Sequence, residues 1–199
     1  MSRETLVLAS RNEDKLAEFA EILDGFVLAP LPAAVELPPE DGETFTENAL
    51  TKARAARAAT GKPAIGDDSG IEAMALGGRP GVRSARFAGP AADAEANLAK
   101  LMLELGSHDD RRVAYVCAIA HVSLDGKERV FEGRCEGTLA LAPRGTGGFG
   151  YDPAFIPDDT GPADLRTMAE LAPEEKHAIS HRGRASRALV ADLRLAESE

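Results

Sequence analysis

Residues 5–23 read TLVLASRNEDKLAEFAEIL, and this stretch decides the fold class. Its first five residues are typical of a short buried strand, and a polar turn over residues 10–15 follows at once. The next apolar residues are spaced by three and four positions, as on one face of a helix, at Leu16, Phe19, Ala20 and Leu23. Ser10 or Asn12 can cap that helix. The chain therefore begins as strand, turn and helix, which is the first unit of an α/β fold.

The next part of the chain alternates loops, helices and a short strand. Residues 30–43 are rich in proline and acid, and they predict a loop or a ragged edge strand. Thr44 and Glu47 then form a capping-box pattern, which predicts a helix that runs to Ala59. A short strand over residues 63–66 leads into Asp67-Asp68-Ser69-Gly70. The spacing over residues 93–105 predicts a third amphipathic helix.

A long hairpin follows. Residues 112–123 predict a strand, Asp125-Gly126 is a hairpin turn signal, and a return strand is expected over 128–141. A glycine-rich loop comes next at 145–153, Thr167 begins another capping box, and Leu189 and Leu193 mark a last helix. This order predicts an α/β fold with a mixed sheet, in a single domain spanning residues 1–199.

The composition excludes several classes of protein. The 199 residues include 23 Lys and Arg against 33 Asp and Glu, a net charge of −10. This balance argues against binding long nucleic acid or an anionic membrane, although a small anion can still bind a local basic pocket. The apolar runs are too short for a signal peptide or a membrane span, so the cytoplasm is the expected location. Cys117 and Cys135 are isolated in sequence, which predicts two reduced thiols in strands.

The turn at residues 10–15 is a candidate anion site. The chain has neither a P-loop motif nor a G-x-G-x-x-G after its first strand. The turn nevertheless follows a strand and opens a helix, so its backbone N–H groups can face an anion. Ser10, Asn12 and Lys15 add donors and one positive charge. A plain capped helix with a surface lysine is the alternative.

Two adjacent acids, Asp67 and Asp68, follow a short apolar strand, at the strand end where α/β enzymes place catalytic groups. Because neighbouring residues of an extended chain point in opposite directions, one acid should face the site while the other braces the turn. Carboxylates there can hold Mg²⁺, with Glu40 as a possible second ligand. The alternatives are an Asx-type turn for the pair and a solvated loop acid for Glu40.

Two further segments carry candidate binding groups. The glycine-rich loop lets the backbone approach a ligand closely, Phe149 and Tyr151 offer faces for a base, and Asp152 offers an acceptor. The basic residues at 176–184 stand out in so acidic a chain, and Lys52 on the second helix is a further candidate. The alternatives are a flexible hairpin loop and a solvated, positively charged helix end.

Six motifs in this order resemble the inosine triphosphate pyrophosphatase family, the bacterial dITP/XTP pyrophosphatases. The resemblance extends from Leu6 to Leu193, with the motifs at residues 8–15, 44–53, 67–70, 80–86, 147–153 and 180–183. It implies a curved mixed central sheet with flanking helices and two lobes around an active-site cleft. It also implies Mg²⁺-dependent hydrolysis of non-standard purine nucleoside triphosphates (ITP, dITP, XTP) to the monophosphate and pyrophosphate, by a homodimer that cleanses the nucleotide pool.

The resemblance also implies roles for individual residues. The implied triphosphate contacts are Ser10, Arg11, Asn12, Glu13, Asp14, Lys15 and Lys52. The implied Mg²⁺ ligands are Glu40 and Asp68, with Asp41 and Glu43 as alternatives to Glu40, and Asp68 is also the implied proton acceptor. The implied contacts to the rest of the substrate, mainly base and sugar, are Ser69, Phe149, Gly150, Tyr151, Asp152, Lys176, His181 and Arg182. Many family members have a smaller residue in place of Arg11, so we expect this side chain to alter the turn.

The base pocket leads to one chemical hypothesis and two competing functions. We expect Arg182 to donate to O6 of a 6-oxopurine and Asp152 to accept from its N1–H, a pattern that adenine reverses. A pyrophosphatase for modified pyrimidine nucleotides is one competing hypothesis. A nucleotide sensor without turnover is the other, and the presence of Asp67 and Asp68 beside lysines argues against it.

Overall fold

The first strand and helix form where the sequence predicts them. The computed structural model describes residues 5–23, 25–90 and 93–196. In it, β1 spans Thr5–Leu8 and α1 spans Glu13–Ile22. Asn12 caps α1, because its side-chain oxygen accepts a hydrogen bond from the Lys15 N–H at 2.9 Å. The predicted sequence of strand, turn and helix is confirmed.

The strands form one mixed sheet, as predicted. After β1 come β2 (Val27–Pro30), β3 (Ala64–Ala73), β4 (Arg112–Val122), β5 (Glu128–Leu139) and β6 (Phe155–Pro157). Their order across the sheet is β2-β1-β3-β4-β5-β6. β1 runs parallel to both β2 and β3, whereas β6 runs antiparallel to β5. The short β2 was not predicted, because it ends where the proline-rich segment begins.

The remaining helices flank this sheet. They are α2 (Phe45–Thr60), α3 (Ala94–Leu105), α4 (Pro173–Ile179) and α5 (His181–Ala196). The predicted capping box of Thr44 and Glu47 is present, and Gly61 ends α2 in the left-handed conformation with φ 66°. The capping box at Thr167 closes only a 3₁₀ turn, Met168–Glu170. No helix in the described ranges is long and apolar enough to cross a membrane.

One prediction about the fold is wrong. The pair Asp67 and Asp68 was placed after the end of a short strand, in a turn, but β3 continues through both residues to Ala73. The strand continues because each buried carboxylate has polar partners of its own: Lys15 binds Asp67, and Asn48 binds Asp68. A polar run that looks like a strand end can therefore lie within a strand when the tertiary structure supplies hydrogen bonds.

Contacts within the chain divide it into two units. The first unit consists of Met1–Asp68, Cys117–Gly133 and Arg182–Glu199, and the second of Ser69–Val116 and Arg134–His181. A single domain over residues 1–199 and a cleft between two lobes stay predictions.

Each unit has an apolar core. The core of the first unit joins β1, α1, β3, β4 and α5 through Leu6, Leu8, Phe19, Leu23, Ile65, Cys117, Ile119, Ala185, Leu189 and Leu193. The core of the second unit includes Ile71, Leu98, Leu101, Leu105, Val113, Tyr115, Cys135, Tyr151, Phe155 and Met168. Burial of these side chains supplies most of the driving force for folding. Both cysteines are buried strand residues, as predicted.

Close packing of α2 on β3 brings candidate residues of the first unit together. A Cβ atom added to Gly66 of β3 would lie 2.7 Å from the Ala53 nitrogen, and it would also meet the Ala49 carbonyl oxygen. Glycine at this position therefore allows the helix backbone to rest directly on the strand. Asn48 and Lys52, one turn apart on α2, are thereby held beside the acids that follow Gly66.

Candidate active site

Asp67 is the centre of a buried ionic cluster in the first unit. Its side chain is 1% exposed. The Lys15 ammonium donates to both of its oxygens, at 3.1 and 3.0 Å, and Arg182 Nη2 donates at 3.4 Å. Burial alone would raise the pKa of Asp67, but Lys15 and then Arg182 outweigh it and hold the pKa well below its usual range. Asp67 is therefore a charged residue that positions two cations, and the turn that it was expected to brace is absent because β3 continues through it.

Asp68 points to different partners. Its Oδ2 accepts a hydrogen bond from Asn48 Nδ2 at 2.8 Å, and Asn48 Oδ1 in turn accepts the Gly42 N–H at 2.9 Å. Asn48 is buried, and its two hydrogen bonds link β3 to the segment that carries Glu40. Burial raises the pKa of Asp68 above its ordinary value; Lys52 opposes this effect and Glu40 adds to it. A carboxylate whose proton affinity is raised suits the acceptance of a proton.

Lys52 connects the acidic loop with the two aspartates. Its ammonium forms an ion pair with Glu40, whose side chain is 32% exposed, whereas Asp41 and Glu43 are exposed. Burial alone would lower the pKa of Lys52, but Asp67, Glu40 and Asp68 together raise it. Lys52 therefore stays charged while buried. The contact also distinguishes Glu40 from the two acids that were its alternatives.

The predicted triphosphate turn lies at the N-terminus of α1. Ser10 Oγ accepts the Asn12 N–H at 3.2 Å, so these two side chains order the turn itself. Glu13 and Asp14 are exposed in the first helical turn, where their carboxylates complement the helix dipole. A phosphate would meet their backbone N–H groups rather than their side chains. Contact with a triphosphate stays a prediction.

Arg11 performs a function that the sequence did not reveal. Its guanidinium donates to backbone carbonyls of the next loop, at Leu31 (2.9 Å), Pro32 (2.7 Å), Ala33 (3.3 Å) and Val35 (2.9 Å). The side chain thus ties the turn to the segment that leads towards Glu40. Contact of Arg11 with a triphosphate stays a prediction.

The second unit holds a separate set of candidate residues around Asp152. Asp152 Oδ2 accepts hydrogen bonds from the Phe149 N–H at 2.9 Å and from the Lys176 ammonium at 2.8 Å. Asp152 Oδ1 accepts the Tyr115 hydroxyl at 2.9 Å. Asp152 and Lys176 are both buried. The Asp152 carboxylate therefore holds the end of the glycine-rich loop and pairs with Lys176 through the same oxygen.

The two aromatic residues of the loop differ in their surroundings. The half-buried Phe149 ring has the Lys176 ammonium 5.3 Å from its centroid, a cation–π contact. Tyr151 is buried in the core, and its hydroxyl donates to the Ser84 carbonyl at 2.8 Å. Tyr151 therefore also packs in the core of the second unit. Contact of Phe149 and of Tyr151 with a base stays a prediction.

Two further predicted substrate contacts are Gly150 of the loop and Ser69 of β3. Gly150 takes a positive φ of 66°, which a residue with a side chain adopts only at a cost. Ser69 follows Asp68 in β3 and is half-buried. Substrate contacts by these two residues stay predictions.

The basic residues near the start of α5 are buried, so the alternative of a solvated, positively charged helix end is wrong for them. His181 belongs to the second unit, and its imidazole stacks on the Tyr115 ring. Arg182 belongs to the first unit, where it pairs with Glu18 and Asp67. Its predicted contact with purine O6 stays a prediction.

Sequence reasoning missed three polar residues of these clusters. Asn48 and Glu18 could have been found by helical spacing, since they lie four and three residues from Lys52 and Lys15 respectively. Tyr115 lies within a continuously apolar strand, and nothing in the local sequence distinguishes it from a core residue.

The donor set for a divalent cation is small. Among residues in the described ranges, no group of three or more His, Cys, Asp or Glu side chains could hold a metal ion. Mg²⁺ is often bound by only one or two carboxylates, with substrate phosphates and waters completing its shell. Glu40 and Asp68 supply hard oxygen ligands, and Asn48 joins Asp68 to the backbone of Gly42, two residues after Glu40. This pair therefore fits Mg²⁺ that arrives together with a polyphosphate.

Known proteins resemble this chain over nearly its whole length. The model of the Ham1 family matches residues 6–192. A Geobacter sulfurreducens protein named dITP/XTP pyrophosphatase is 51% identical over 186 residues, covering 90% of this chain and 92% of that protein. The Staphylococcus aureus Ham1 protein superposes with a TM-score of 0.84 at 39% identity, covering 96% and 98% of the two chains. A Coxiella burnetii HAM1 protein gives 0.84 at 41% identity, with the same coverage. On this evidence, the chain belongs to the Ham1 family.

Proposed function

We propose that this protein hydrolyses non-standard purine nucleoside triphosphates, ITP, dITP and XTP, to the nucleoside monophosphate and pyrophosphate. The relative from Geobacter sulfurreducens carries the name of this activity at 51% identity. One observation on this chain carries the proposal. A buried lysine, Lys52, sits within electrostatic range of three carboxylates, Glu40, Asp67 and Asp68. Cations and acids held together in this way suit a substrate that carries both phosphate charge and a metal ion.

The proposed reaction assigns a task to each group of the first unit. Water attacks the α-phosphorus, the bond to the bridging oxygen of the β-phosphate breaks, and pyrophosphate leaves. Asp68 accepts the proton from that water. Lys15 and Lys52 balance the charge of the phosphates, and Asp67 keeps Lys15 in place. Phosphoryl transfer asks the protein mainly for such positioning and charge stabilisation.

Mg²⁺ is part of the proposal. Glu40 and Asp68 would hold it, and the ion would neutralise part of the phosphate charge and polarise the phosphorus–oxygen bonds. In this structure, Lys52 forms an ion pair with Glu40. We expect the ammonium to turn towards a phosphate oxygen once the Glu40 carboxylate has a metal partner.

We assign part of the discrimination between bases to the second unit. Lys176 and His181 can donate to a purine carbonyl oxygen, and the Phe149 ring can stack on the base. Adenine offers no carbonyl oxygen at the 6-position, so its binding would leave a buried donor without an acceptor. ATP should therefore be a poor substrate.

Product analysis tests the proposal. Purified protein is incubated with ITP and Mg²⁺ in H₂¹⁸O, and the products are separated by HPLC and analysed by mass spectrometry. We expect inosine monophosphate carrying ¹⁸O, together with unlabelled pyrophosphate, and no turnover by Asp68→Asn. Label in pyrophosphate instead would point to attack at another phosphorus or to an aspartyl intermediate. Binding of ITP without release of pyrophosphate would support a sensor and refute the proposal.

Two controls sharpen this experiment. Glu40→Gln should raise the Mg²⁺ concentration needed for half-maximal rate, whereas Asp41→Asn and Glu43→Gln should leave it unchanged, because these two acids are exposed. Parallel assays with XTP, ATP, dUTP and modified dCTP distinguish a purine enzyme from one acting on pyrimidines.

The proposal also includes a homodimer, which rests on the family resemblance, and a cytoplasmic location, which rests on the short apolar runs of the sequence. Light scattering coupled to size-exclusion chromatography measures the mass of the assembly. Fractionation of the source cells, followed by immunoblotting, tests the location.

A further inference from the structure

Tyr115 of β4 is a buried side chain that contacts two residues of the predicted base pocket. The residue is 6% exposed. Its hydroxyl donates to Asp152 Oδ1 at 2.9 Å. Its ring stacks on the His181 imidazole, with centroids 4.6 Å apart and planes 13° apart. One rigid side chain thus reaches both residues.

The ring of Tyr115 is itself held firmly. It also stacks on Phe155, with centroids 4.4 Å apart and planes 28° apart. Two rings at such distances cannot share one face of a third ring, so Tyr115 lies between Phe155 and His181. Phe155 is fully buried in the core of the second unit. Tyr115 therefore transmits the position of a core residue to His181.

The hydroxyl bond controls the orientation of Asp152. It occupies Oδ1, whereas Lys176 and the Phe149 N–H occupy Oδ2. A donor on one oxygen sets the rotation of the carboxylate plane, and this rotation directs the other oxygen towards the lysine and the loop. A Cβ atom on Gly148 would collide with Asp152 Oδ2, so the close approach of the loop backbone to this carboxylate requires glycine at position 148.

We propose that Tyr115 is a positioning residue for recognition of the nucleoside part of the substrate. It acts through Asp152, which holds the Lys176 ammonium and the end of the glycine-rich loop, and through the stacked His181. The inference rests on the proposed function, since it assigns these residues to binding of a purine carbonyl. Tyr115 contacts no substrate in this scheme. Its loss should therefore weaken binding and base discrimination while the chemical step continues.

Steady-state kinetics with two substitutions test this inference. Tyr115→Phe removes the hydroxyl and keeps both stacked contacts, whereas Tyr115→Leu removes all three. We expect Tyr115→Phe to raise KM for ITP about tenfold, the effect of losing one hydrogen bond to a charged group. The kcat should change less than twofold, and the preference for ITP over ATP should fall. An unchanged KM, or a loss confined to kcat, would overturn the proposal.

A matched control separates positioning from general destabilisation. Val113 lies two residues earlier in the same strand and is buried in the same core. Val113→Ala should lower the melting temperature at least as much as Tyr115→Phe does, yet leave KM for ITP unchanged. An equal rise in KM in this variant would assign the effect to stability and contradict the inference.

A double-mutant cycle identifies the route. If Tyr115 acts through Asp152, adding Tyr115→Phe to an Asp152→Asn background should raise KM by less than twofold further. Independent, multiplicative effects would refute this route.

An NMR readout does not depend on activity. A stacked tyrosine shifts the imidazole protons of His181 upfield, and these signals can be assigned among the four histidines with His181→Gln. The shift should persist in Tyr115→Phe and vanish in Tyr115→Leu. If wild-type protein releases no pyrophosphate, the proposed function fails. The Tyr115 inference is then decided by calorimetric titration of ITP into wild type and Tyr115→Phe: weaker binding by the variant sustains it, and equal affinity or an absence of binding to both rejects it.

Discussion

Replacement of Asp67 by asparagine should reveal how strongly the buried ionic cluster supports the fold. The substitution keeps the shape of the side chain but removes its charge from a site that is 1% exposed. Lys15 and Arg182 would lose their shared carboxylate. Breaking a buried ion pair by removing one partner costs about 3 to 5 kcal/mol. Arg182 retains Glu18, and the Lys15 side chain is 16% exposed, so we expect the lower end of this range.

A loss of about 3 kcal/mol corresponds to a melting temperature lower by about 6 to 12 °C in a chain of this length. The assay is urea denaturation at pH 7, 4 and 3, with calorimetry at pH 7. Because the folded-state pKa of Asp67 is depressed, its contribution is fully present above the unfolded-state pKa of about 4 and is lost as pH falls through the folded-state value. The gap between wild type and Asp67→Asn should therefore be largest at pH 7 and shrink below pH 4.

The matched control is Asp110→Asn, which removes a carboxylate from an exposed pair with Arg112. It should leave the denaturation midpoint close to that of wild type, since exposed pairs contribute little. The reasoning is refuted if the free energy of unfolding of Asp67→Asn lies within 1 kcal/mol of the wild-type value at pH 7. It is also refuted if the difference between the two proteins is the same at all three pH values.

Three further outcomes are expected. Cys117 should resist iodoacetamide in the folded protein at pH 8 and react after denaturation, because burial raises the pKa of its thiol to about 12; mass spectrometry measures the modification. Gly66→Ala should lower the free energy of unfolding by about 3 kcal/mol, since the added Cβ forces α2 away from β3; urea denaturation that shows no loss would contradict this packing. Arg11→Ala should speed hydrogen–deuterium exchange in the loop over residues 31–35, whose carbonyls it now binds, while exchange in α3 stays unchanged.

Features set by neighbouring residues could be predicted from the sequence. The capping box at Thr44, the cap at Asn12 and the hairpin turn at Asp125 each depend on contacts within a few residues, and all three lie where predicted. Apolar spacing likewise located α1 and α3, and the capping box located α2. These elements depend on neighbouring residues, so the local sequence is sufficient to predict them.

Features set by distant residues could not be predicted. The length of β3 depends on Lys15 and Asn48, which lie tens of residues away in sequence and satisfy the two acids. The resemblance implied a phosphate contact for Arg11. The carbonyls that accept hydrogen bonds from its guanidinium lie 20 to 24 residues further along, so no local pattern indicates them. In the sequence, Tyr115 looks like a core residue of an apolar strand. Its hydrogen bond to Asp152 becomes apparent only in the structure.

The candidate site follows the same division. The residues to consider were identified by motif, and two groups of them are in contact within their own units. Burial separated residues with similar sequence signals: Phe149 is half-buried whereas Tyr151 is enclosed, and Glu40 meets Lys52 whereas Asp41 does not. Such distinctions depend on the packing of whole elements, which no single motif encodes.

The core of the first unit has a consequence for synthesis of the chain on the ribosome. Leu6 of the first strand is buried in the same core as Leu189 and Leu193 of the last helix. At about 5 to 20 residues per second, the ribosome takes about 10 to 40 s to make the chain between them. During that time the first strand has an apolar surface that its final partner cannot cover. This part of the core is completed only when α5 emerges, so truncation before Leu189 should leave a product that aggregates.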